Sequence, residues 1–167
     1  TKNPSASIPQ ACENWASTKA SYNLLDHEEV TCEKLLAPHQ EQTISRMKQQ
    51  LRVFAIQDTT YLDLTHFSQM EGVGPIGTEK QNLRGLVMHS TIAVTETGLN
   101  LGVIAQNVWA REKESTRENR KEKEIEGKES YKWLAGLKET PNLEKTEVIT
   151  ICDRESDIYE FFVEAQK

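Results

Sequence analysis

Two aspartates, Asp58 and Asp153, are the residues whose positions most clearly suggest chemistry. Each lies at the end of a short apolar run, residues 53–56 in the first case and residues 148–152 in the second. Short continuous apolar runs are typical of strands buried on both faces of a sheet. Ligands bind at the carboxyl ends of strands in open α/β sheets. We therefore predict that Asp58 and Asp153 lie on adjacent parallel strands, with both carboxylates at one edge of the sheet.

The chemistry that such a pair supports is binding of a divalent cation. Two neighbouring carboxylates repel each other, and one becomes protonated unless a cation lies between them. Mg²⁺ prefers oxygen ligands and is commonly held by one or two carboxylates. Two such ions can activate a water molecule and stabilise the leaving oxygen when a phosphodiester is cleaved. A second interpretation stays open, because aspartates at strand ends are common and either residue could instead cap a helix.

Two other phosphate chemistries fit the sequence less well. A phosphatase that forms an aspartyl phosphate would need a second aspartate at position 60, which is Thr60. The glycines at positions 72, 74 and 77 lack the following Lys-Ser/Thr of a phosphate-binding loop. We interpret residues 72–77 as a surface loop.

The first 50 residues are predicted to be helical. A first helix can start near Pro9, a turn is expected at residues 23–26, and a short helix over residues 31–36 is expected to end at Pro38. A third amphipathic stretch covers residues 44–51. We place a domain boundary after residue 50, so that residues 51–167 form a second domain.

The second domain is predicted to mix strands and helices. The pattern indicates a strand over residues 53–56, a hairpin of residues 86–94 and 99–109, a helix from Ser130 to near Pro141, a strand over residues 148–152 and a final helix from Ile158. This order predicts an α/β mixed sheet. The charge run over residues 111–129 holds seven basic and seven acidic residues, and we expect residues 111–127 to be the most mobile internal segment.

Composition excludes several classes of protein. The apolar runs are far shorter than the ~18 residues that a membrane-spanning helix needs, so we expect no membrane span. The three cysteines, Cys12, Cys32 and Cys152, are odd in number and far apart, which argues against a disulfide framework or a zinc site. The net charge of −6 argues mildly against a compact nucleic-acid binder, although a local basic face remains compatible with it.

The chain resembles a known family in several segments taken in order. These are residues 54–60 (Phe-Ala-Ile-Gln-Asp-Thr-Thr), 85–90, 101–104, 128–134 and 152–159 (Cys-Asp-Arg-Glu-Ser-Asp-Ile-Tyr). They are similar to bacterial cut-and-paste DDE transposases of the insertion-sequence-four family. Residues 7–22 also resemble the helical segment that precedes that family's catalytic domain. The resemblance implies an RNase H-like fold preceded by the end of a DNA-binding domain.

The resemblance also implies an activity. Asp58 would be the first catalytic acid and Asp153 the second, with Mg²⁺ as cofactor and Mn²⁺ as its substitute. The parent protein would be an endonuclease that cleaves and joins double-stranded DNA at transposon ends and targets, as a homodimer in the bacterial cytoplasm, on the nucleoid.

The family's third catalytic acid is a glutamate in a Tyr, Arg, Glu, Lys signature, which the 14 residues after Asp153 lack. We therefore expect a fragment that is inactive alone. The alternative is a non-catalytic, truncated or decayed transposase that binds DNA or inhibits a full-length partner.

Seven further residues could support the acids or contact DNA: Thr59, Thr60, Arg154, Glu155, Lys132, Lys19 and Arg46. The two threonines could hydrogen-bond the Asp58 carboxylate or form a turn. Arg154 and Glu155 could support Asp153, contact a phosphate or form a salt bridge at a helix start. The three remaining cations could contact DNA, although a solvent-exposed lysine is the simpler interpretation of Lys132. His89 is interpreted as a packed, hydrogen-bonded histidine rather than a metal ligand.

Overall fold

The computed structural model describes residues 5–77, 81–112 and 124–166. The chain divides into two compact units, residues 1–39 and 40–167, a division that lies eleven residues before the boundary predicted from the sequence. The predicted mobile segment, residues 111–127, falls mostly on residues 113–123, which lie outside the described residues. Within the described ranges, no helix is long and apolar enough to cross a membrane.

The first unit is helical, as predicted. It contains α1 (Ile8–Ala11), α2 (Trp15–Leu25) and the start of α3 (Cys32–Met47). Pro9 lies in the first turn of α1, where its missing N–H costs nothing. The Asn14 side chain accepts a hydrogen bond from the Ser17 N–H at 2.9 Å and so caps α2. This cap separates α1 from α2, although the apolar spacing is compatible with one helical face across both.

The second unit is built on a five-stranded mixed sheet. Its strands are β1 (Arg52–Asp63), β2 (Gly74–Pro75), β3 (Arg84–Thr95), β4 (Asn100–Trp109) and β5 (Glu147–Ile151). β1 pairs parallel with β5 and antiparallel with β3, and both β2 and β4 pair antiparallel with β3. The predicted hairpin, now β3 and β4, and the predicted parallel pair, now β1 and β5, are both confirmed.

β1 is longer than its apolar run indicates. Residues 57–63 continue the strand because they pair with β3, from Gln57 opposite Thr91 to Asp63 opposite Gly85. The predicted strand over residues 53–56 is therefore too short, and Asp58 lies within β1 rather than after it. The parallel ladder with β5 does stop early, at Ile56 opposite Ile151, so Asp58 still follows the parallel part of the strand.

The glycine-rich segment is not wholly a loop, which corrects the prediction for residues 74 and 75. Gly74 and Pro75 form β2 on β3. A Cβ atom at Gly74 would overlap the carbonyl group of Arg111. Only glycine allows two backbone segments to approach so closely.

In the described part of the second unit, the end of α3 is followed by two α-helices, α4 (Tyr131–Glu139) and α5 (Tyr159–Ala165), in agreement with the sequence. α4 contacts β3, β4 and α5. Its Trp133 and Leu134 are buried, as are alternate residues of β1 and β3. No residue of β5 is buried, and Ile149 and Ile151 are exposed. The expectation that this strand is buried on both faces is therefore wrong.

Pro38 does not end a helix, contrary to prediction, but lies inside the continuous α3. Proline deprives the carbonyl of Lys34 of its helical donor. The second half of α3 is held by tertiary contacts that outweigh this loss: Met47 is fully buried, the Gln40 amide donates to a β4 carbonyl at 3.0 Å, and Arg46 Nε donates to another at 2.6 Å. Packing rather than local propensity therefore decides the helix.

Candidate active site

The register of the parallel ladder brings the two aspartates into correspondence. Every β1 residue from Arg52 to Ile56 lies opposite the β5 residue 95 positions later. Asp58 and Asp153 are separated by the same 95 positions. Continuing the register by two residues would place them on neighbouring segments, and paired strands lie about 4.8 Å apart. Both residues are exposed to solvent, so a cation could reach either carboxylate.

Asp153 also acts as a cap. Its Oδ1 accepts a hydrogen bond from the Glu155 N–H at 2.7 Å, and this contact begins a 3-10 turn over Arg154–Ser156. The two interpretations of Asp153 are compatible, because a carboxylate has two oxygens and roughly four acceptor sites. The cap fixes the orientation of the carboxylate.

A buried histidine lies beneath Asp58. His89 on β3 is 1% exposed, and its two ring nitrogens face Gln57 at 3.0 Å and Thr59 at 2.9 Å. Gln57 and Thr59 flank Asp58 in sequence, and alternate side chains of a strand point to opposite faces. Thr59 is therefore directed to His89 rather than to the Asp58 carboxylate, while Thr60 is exposed. The prediction of a packed, hydrogen-bonded histidine is confirmed.

Gln57 links this strand to α4. With its amide nitrogen oriented towards His89, the amide donates to the Trp133 carbonyl at 3.1 Å and accepts from the Leu137 N–H at 3.2 Å. These are the two groups that one turn of an α-helix joins. A Cβ atom at Gly136 would lie 2.6 Å from the end of the Gln57 side-chain amide, so glycine lets the amide approach the helix. Sequence reasoning missed both residues, although a glutamine next to an apolar run and a glycine within a helix were available signals.

Lys132 is buried, which contradicts its interpretation as a solvent-exposed or DNA-facing lysine. Its side chain is 5% exposed, and Nζ lies 3.1 Å from Glu155 Oε2. The ammonium group also lies 5.3 Å from the centre of the Trp133 ring. Burial is tolerated because the carboxylate and the ring both compensate the charge. Glu155 therefore makes a salt bridge and supports Asp153 as well, through its backbone N–H.

The other three predicted residues are in different environments. Arg154 is exposed in the 3-10 turn. Lys19 is exposed on α2, where Trp15 and Tyr22 share its helical face by their spacing of four and three residues. Arg46 joins α3 to the Leu101 carbonyl on β4, which gives its guanidinium a structural contact.

The charges and the burial around the site shift the pKa of His89. Burial lowers the pKa of its imidazole, and the Lys132 ammonium lowers it further. Asp58 and Asp153 raise it in part, and the resulting pKa is about 4 against an ordinary 6.5. His89 is therefore neutral near pH 7, and it responds to both carboxylates and to Lys132.

We expect this depressed pKa to destabilise the protein in mild acid. Because the unfolded chain takes up a proton below pH 6.5 and the folded protein does not, stability is present above pH 6.5 and falls towards pH 4. Between pH 7 and pH 5 the loss should be about 2 kcal/mol, at ~1.4 kcal/mol per pH unit. Urea unfolding at each pH measures it. His89→Asn should flatten the slope and His27→Asn, at an exposed site, should not; an unchanged slope in His89→Asn would contradict the assignment.

The donor set suits a hard cation. Exposed carboxylate oxygens are the ligands that Mg²⁺ prefers. Among the described residues, no group of three or more His, Cys, Asp or Glu residues is arranged to hold a metal ion. Asp58 and Asp153 are the candidate ligands because the β1–β5 register relates them and both are exposed.

Residues 1–30 match a family model described as transposase DNA-binding. The matched segment includes α1 and α2 of the first unit. The match supports a transposase-related DNA-binding role, with DNA as a partner. It agrees with the expectation that a DNA-binding segment precedes the α/β region.

Proposed function

We propose that this chain belongs to a DDE transposase of the insertion-sequence-four family, which cleaves and joins DNA at transposon ends. The observation that carries the proposal is the common 95-residue offset of the β1–β5 ladder and of Asp58 and Asp153. The match of residues 1–30 to a transposase DNA-binding model supports it independently. An RNase H-like sheet, a homodimer on paired DNA ends and association with the bacterial nucleoid are parts of the same proposal.

In this proposal the second unit supplies the metal ligands. Asp58 and Asp153 would hold Mg²⁺, which supplies Lewis-acid activation of the attacking and leaving oxygens of a phosphodiester. The Glu155 N–H orients Asp153, and the contacts of Gln57 and Thr59 with His89 hold the strand on both sides of Asp58. Such fixed placement matters because small displacements of reacting groups cost large factors in rate.

The first unit would supply the DNA contact. α2 contains no acidic residue, and Lys19 is its one charged side chain. Lys19 lies between Trp15, which is 76% exposed, and Tyr22 on an accessible helical face. A lysine with aromatic neighbours can bind a phosphate while the rings pack on the sugar backbone. Because the whole chain carries a charge of −6, we expect few phosphate contacts and therefore a shallow dependence of DNA affinity on salt concentration.

We expect Lys19→Ala to weaken DNA binding about tenfold. A charge-assisted hydrogen bond is worth about 1.5–3 kcal/mol, and 1.4 kcal/mol is a factor of ten in affinity. Fluorescence anisotropy of the full chain with a duplex of the DNA that flanks the gene measures the change, and the salt slope should fall by about one. Lys34→Ala is the matched control, since Lys34 is exposed in α3 and paired with Glu29 at 2.7 Å.

DNA binding and Mn²⁺ binding together distinguish the proposed transposase from the non-catalytic alternative. Equal DNA affinities of the wild type, Lys19→Ala and Lys34→Ala would contradict the assignment of the α2 face. DNA binding in a protein that binds no Mn²⁺ would favour the non-catalytic alternative, a truncated or decayed transposase that occupies DNA ends or inhibits a full-length partner. Failure to bind any duplex would overturn both.

A further inference from the structure

α4 contacts both of the segments that carry the aspartates. One contact reaches the Asp153 segment through Lys132, and another reaches the Asp58 strand through the backbone of Trp133 and Leu137. We propose that α4 is a brace that sets the relative positions of the two carboxylates, with Lys132, Glu155, Gln57 and His89 as positioning residues. This inference rests on the proposed metal-binding role of Asp58 and Asp153.

The first arm of the brace runs from Lys132 to Asp153. Lys132 Nζ is held in a buried position beside the Trp133 ring and lies 3.1 Å from the Glu155 carboxylate. The N–H of the same Glu155 donates to Asp153 Oδ1 at 2.7 Å. Glu155 therefore has its side chain anchored to α4 and its backbone attached to the carboxylate. Movement of α4 would be passed directly to Asp153.

The second arm runs from α4 to Asp58. The Gln57 amide lies on the Trp133 carbonyl and the Leu137 N–H, and it contacts His89 at 3.0 Å. His89 contacts Thr59 at 2.9 Å and packs edge-on against the Trp133 ring, with ring centres 4.6 Å apart. Both neighbours of Asp58 are thus fixed to one buried network. Asp58 itself lies on the opposite face, where it is exposed.

Electrostatics and geometry make opposite predictions for Lys132. A positive charge near two carboxylates repels an incoming cation, so removing it should tighten metal binding by Coulomb's law. If Lys132 instead acts by holding Glu155 and Asp153 in place, removing it should weaken metal binding. The direction of the change therefore separates a positioning role from a mere charge effect.

The test is the affinity of the full 167-residue chain for Mn²⁺, followed by the electron paramagnetic resonance signal of the free ion. We expect Lys132→Met to weaken Mn²⁺ binding about 10- to 100-fold, the usual effect of losing a group that orients a metal ligand. Lys132→Arg keeps the ion pair and should restore much of the affinity. Lys138→Met is the matched control, because Lys138 is an exposed lysine on the same helix.

A second variant removes the charge ambiguity. Lys132→Met combined with Glu155→Gln leaves the net charge unchanged and removes the ion pair, so it should bind Mn²⁺ as weakly as the single variant. Far-UV circular dichroism and thermal unfolding test whether each variant is folded. Because the double variant removes both members of the Lys132–Glu155 ion pair, it leaves neither charge unpaired. If the single variant does not fold, the double variant provides the test.

The outcomes distinguish this inference from the proposed function. If the wild type binds no Mn²⁺, or if binding survives Asp58→Asn together with Asp153→Asn, the proposed metal site is wrong. If the wild type binds Mn²⁺ through these acids and Lys132→Met binds it equally or more tightly, the brace is wrong while the metal site stands. Equal losses in Lys132→Met and Lys138→Met would also overturn the brace.

Discussion

Replacing Trp133 with alanine should lower the free energy of unfolding by about 3–5 kcal/mol, the range for a large aromatic residue removed from a core. Trp133 is fully buried on α4, and its ring packs against His89 and beside Lys132. The cavity would leave the buried Lys132 ammonium without its aromatic neighbour. One effect opposes the loss: the Trp133 Nε1 finds no acceptor in the described part of the chain, so its removal relieves an unsatisfied donor.

Urea unfolding followed by far-UV circular dichroism measures this change without relying on tryptophan fluorescence. Trp15→Ala is the matched control, since Trp15 is 76% exposed on α2, and a surface substitution of this kind is usually within about 0.5 kcal/mol. Similar losses for the two variants would mean that α4 does not pack on the sheet as described. A loss below about 1 kcal/mol for Trp133→Ala would have the same meaning.

Asp58→Asn should abolish metal-dependent cleavage in the transposase to which we propose this chain belongs. The substitution preserves shape and removes the negative charge that binds the cation. Metal ions contribute several kcal/mol to such reactions, and each 1.36 kcal/mol is a factor of ten in rate. We therefore expect nicking of a labelled transposon-end duplex in Mg²⁺ to fall by about 1,000-fold or more, and Asp153→Asn to act in the same way.

DNA binding should be unaffected in both variants, because it is assigned to the first unit. Asp63→Asn and Asp157→Asn are matched controls. Asp63 is the control for Asp58, and Asp157 is the control for Asp153; both are exposed aspartates near in sequence to the acid concerned. Asp63 accepts hydrogen bonds from Thr65. Cleavage by Asp58→Asn at the wild-type rate would remove Asp58 from the site, and a loss as large in Asp63→Asn would show that the effect is structural.

The sequence alone is sufficient to predict the pair of parallel strands, β1 and β5, that precede the two acids. Residues 53–56 and 148–152 are short apolar runs, a local pattern that indicates strands, although the side chains of β5 are not buried. The β3–β4 hairpin and α4 are also predictable from the sequence, because turn residues and periodicity are local properties of the chain. Residues 152–159 resemble a transposase motif, which by itself points to Asp153.

Long-range contacts determine two features that local sequence patterns do not predict, the full length of β1 and the continuity of α3. β1 continues past Asp58 because β3 supplies hydrogen-bonding partners for residues 57–63, which a reading of local hydrophobicity does not detect. α3 continues through Pro38 because β4 carbonyls bind its second half. In both cases contacts from distant parts of the chain outweighed a local signal.

The amino-acid sequence by itself determined that two acids follow neighbouring parallel strands, since the short apolar run before each acid is a local pattern that indicates a strand. Only the tertiary structure determined which buried side chains contact the segments that carry Asp58 and Asp153. A lysine in an amphipathic helix is solvated unless a partner permits its burial, and Lys132 pairs at 3.1 Å with Glu155, 23 positions later. The polar side chain of Gln57 is buried only because Gly136 lets α4 approach it. Such pairings depend on which surfaces meet after folding, and no local pattern records them.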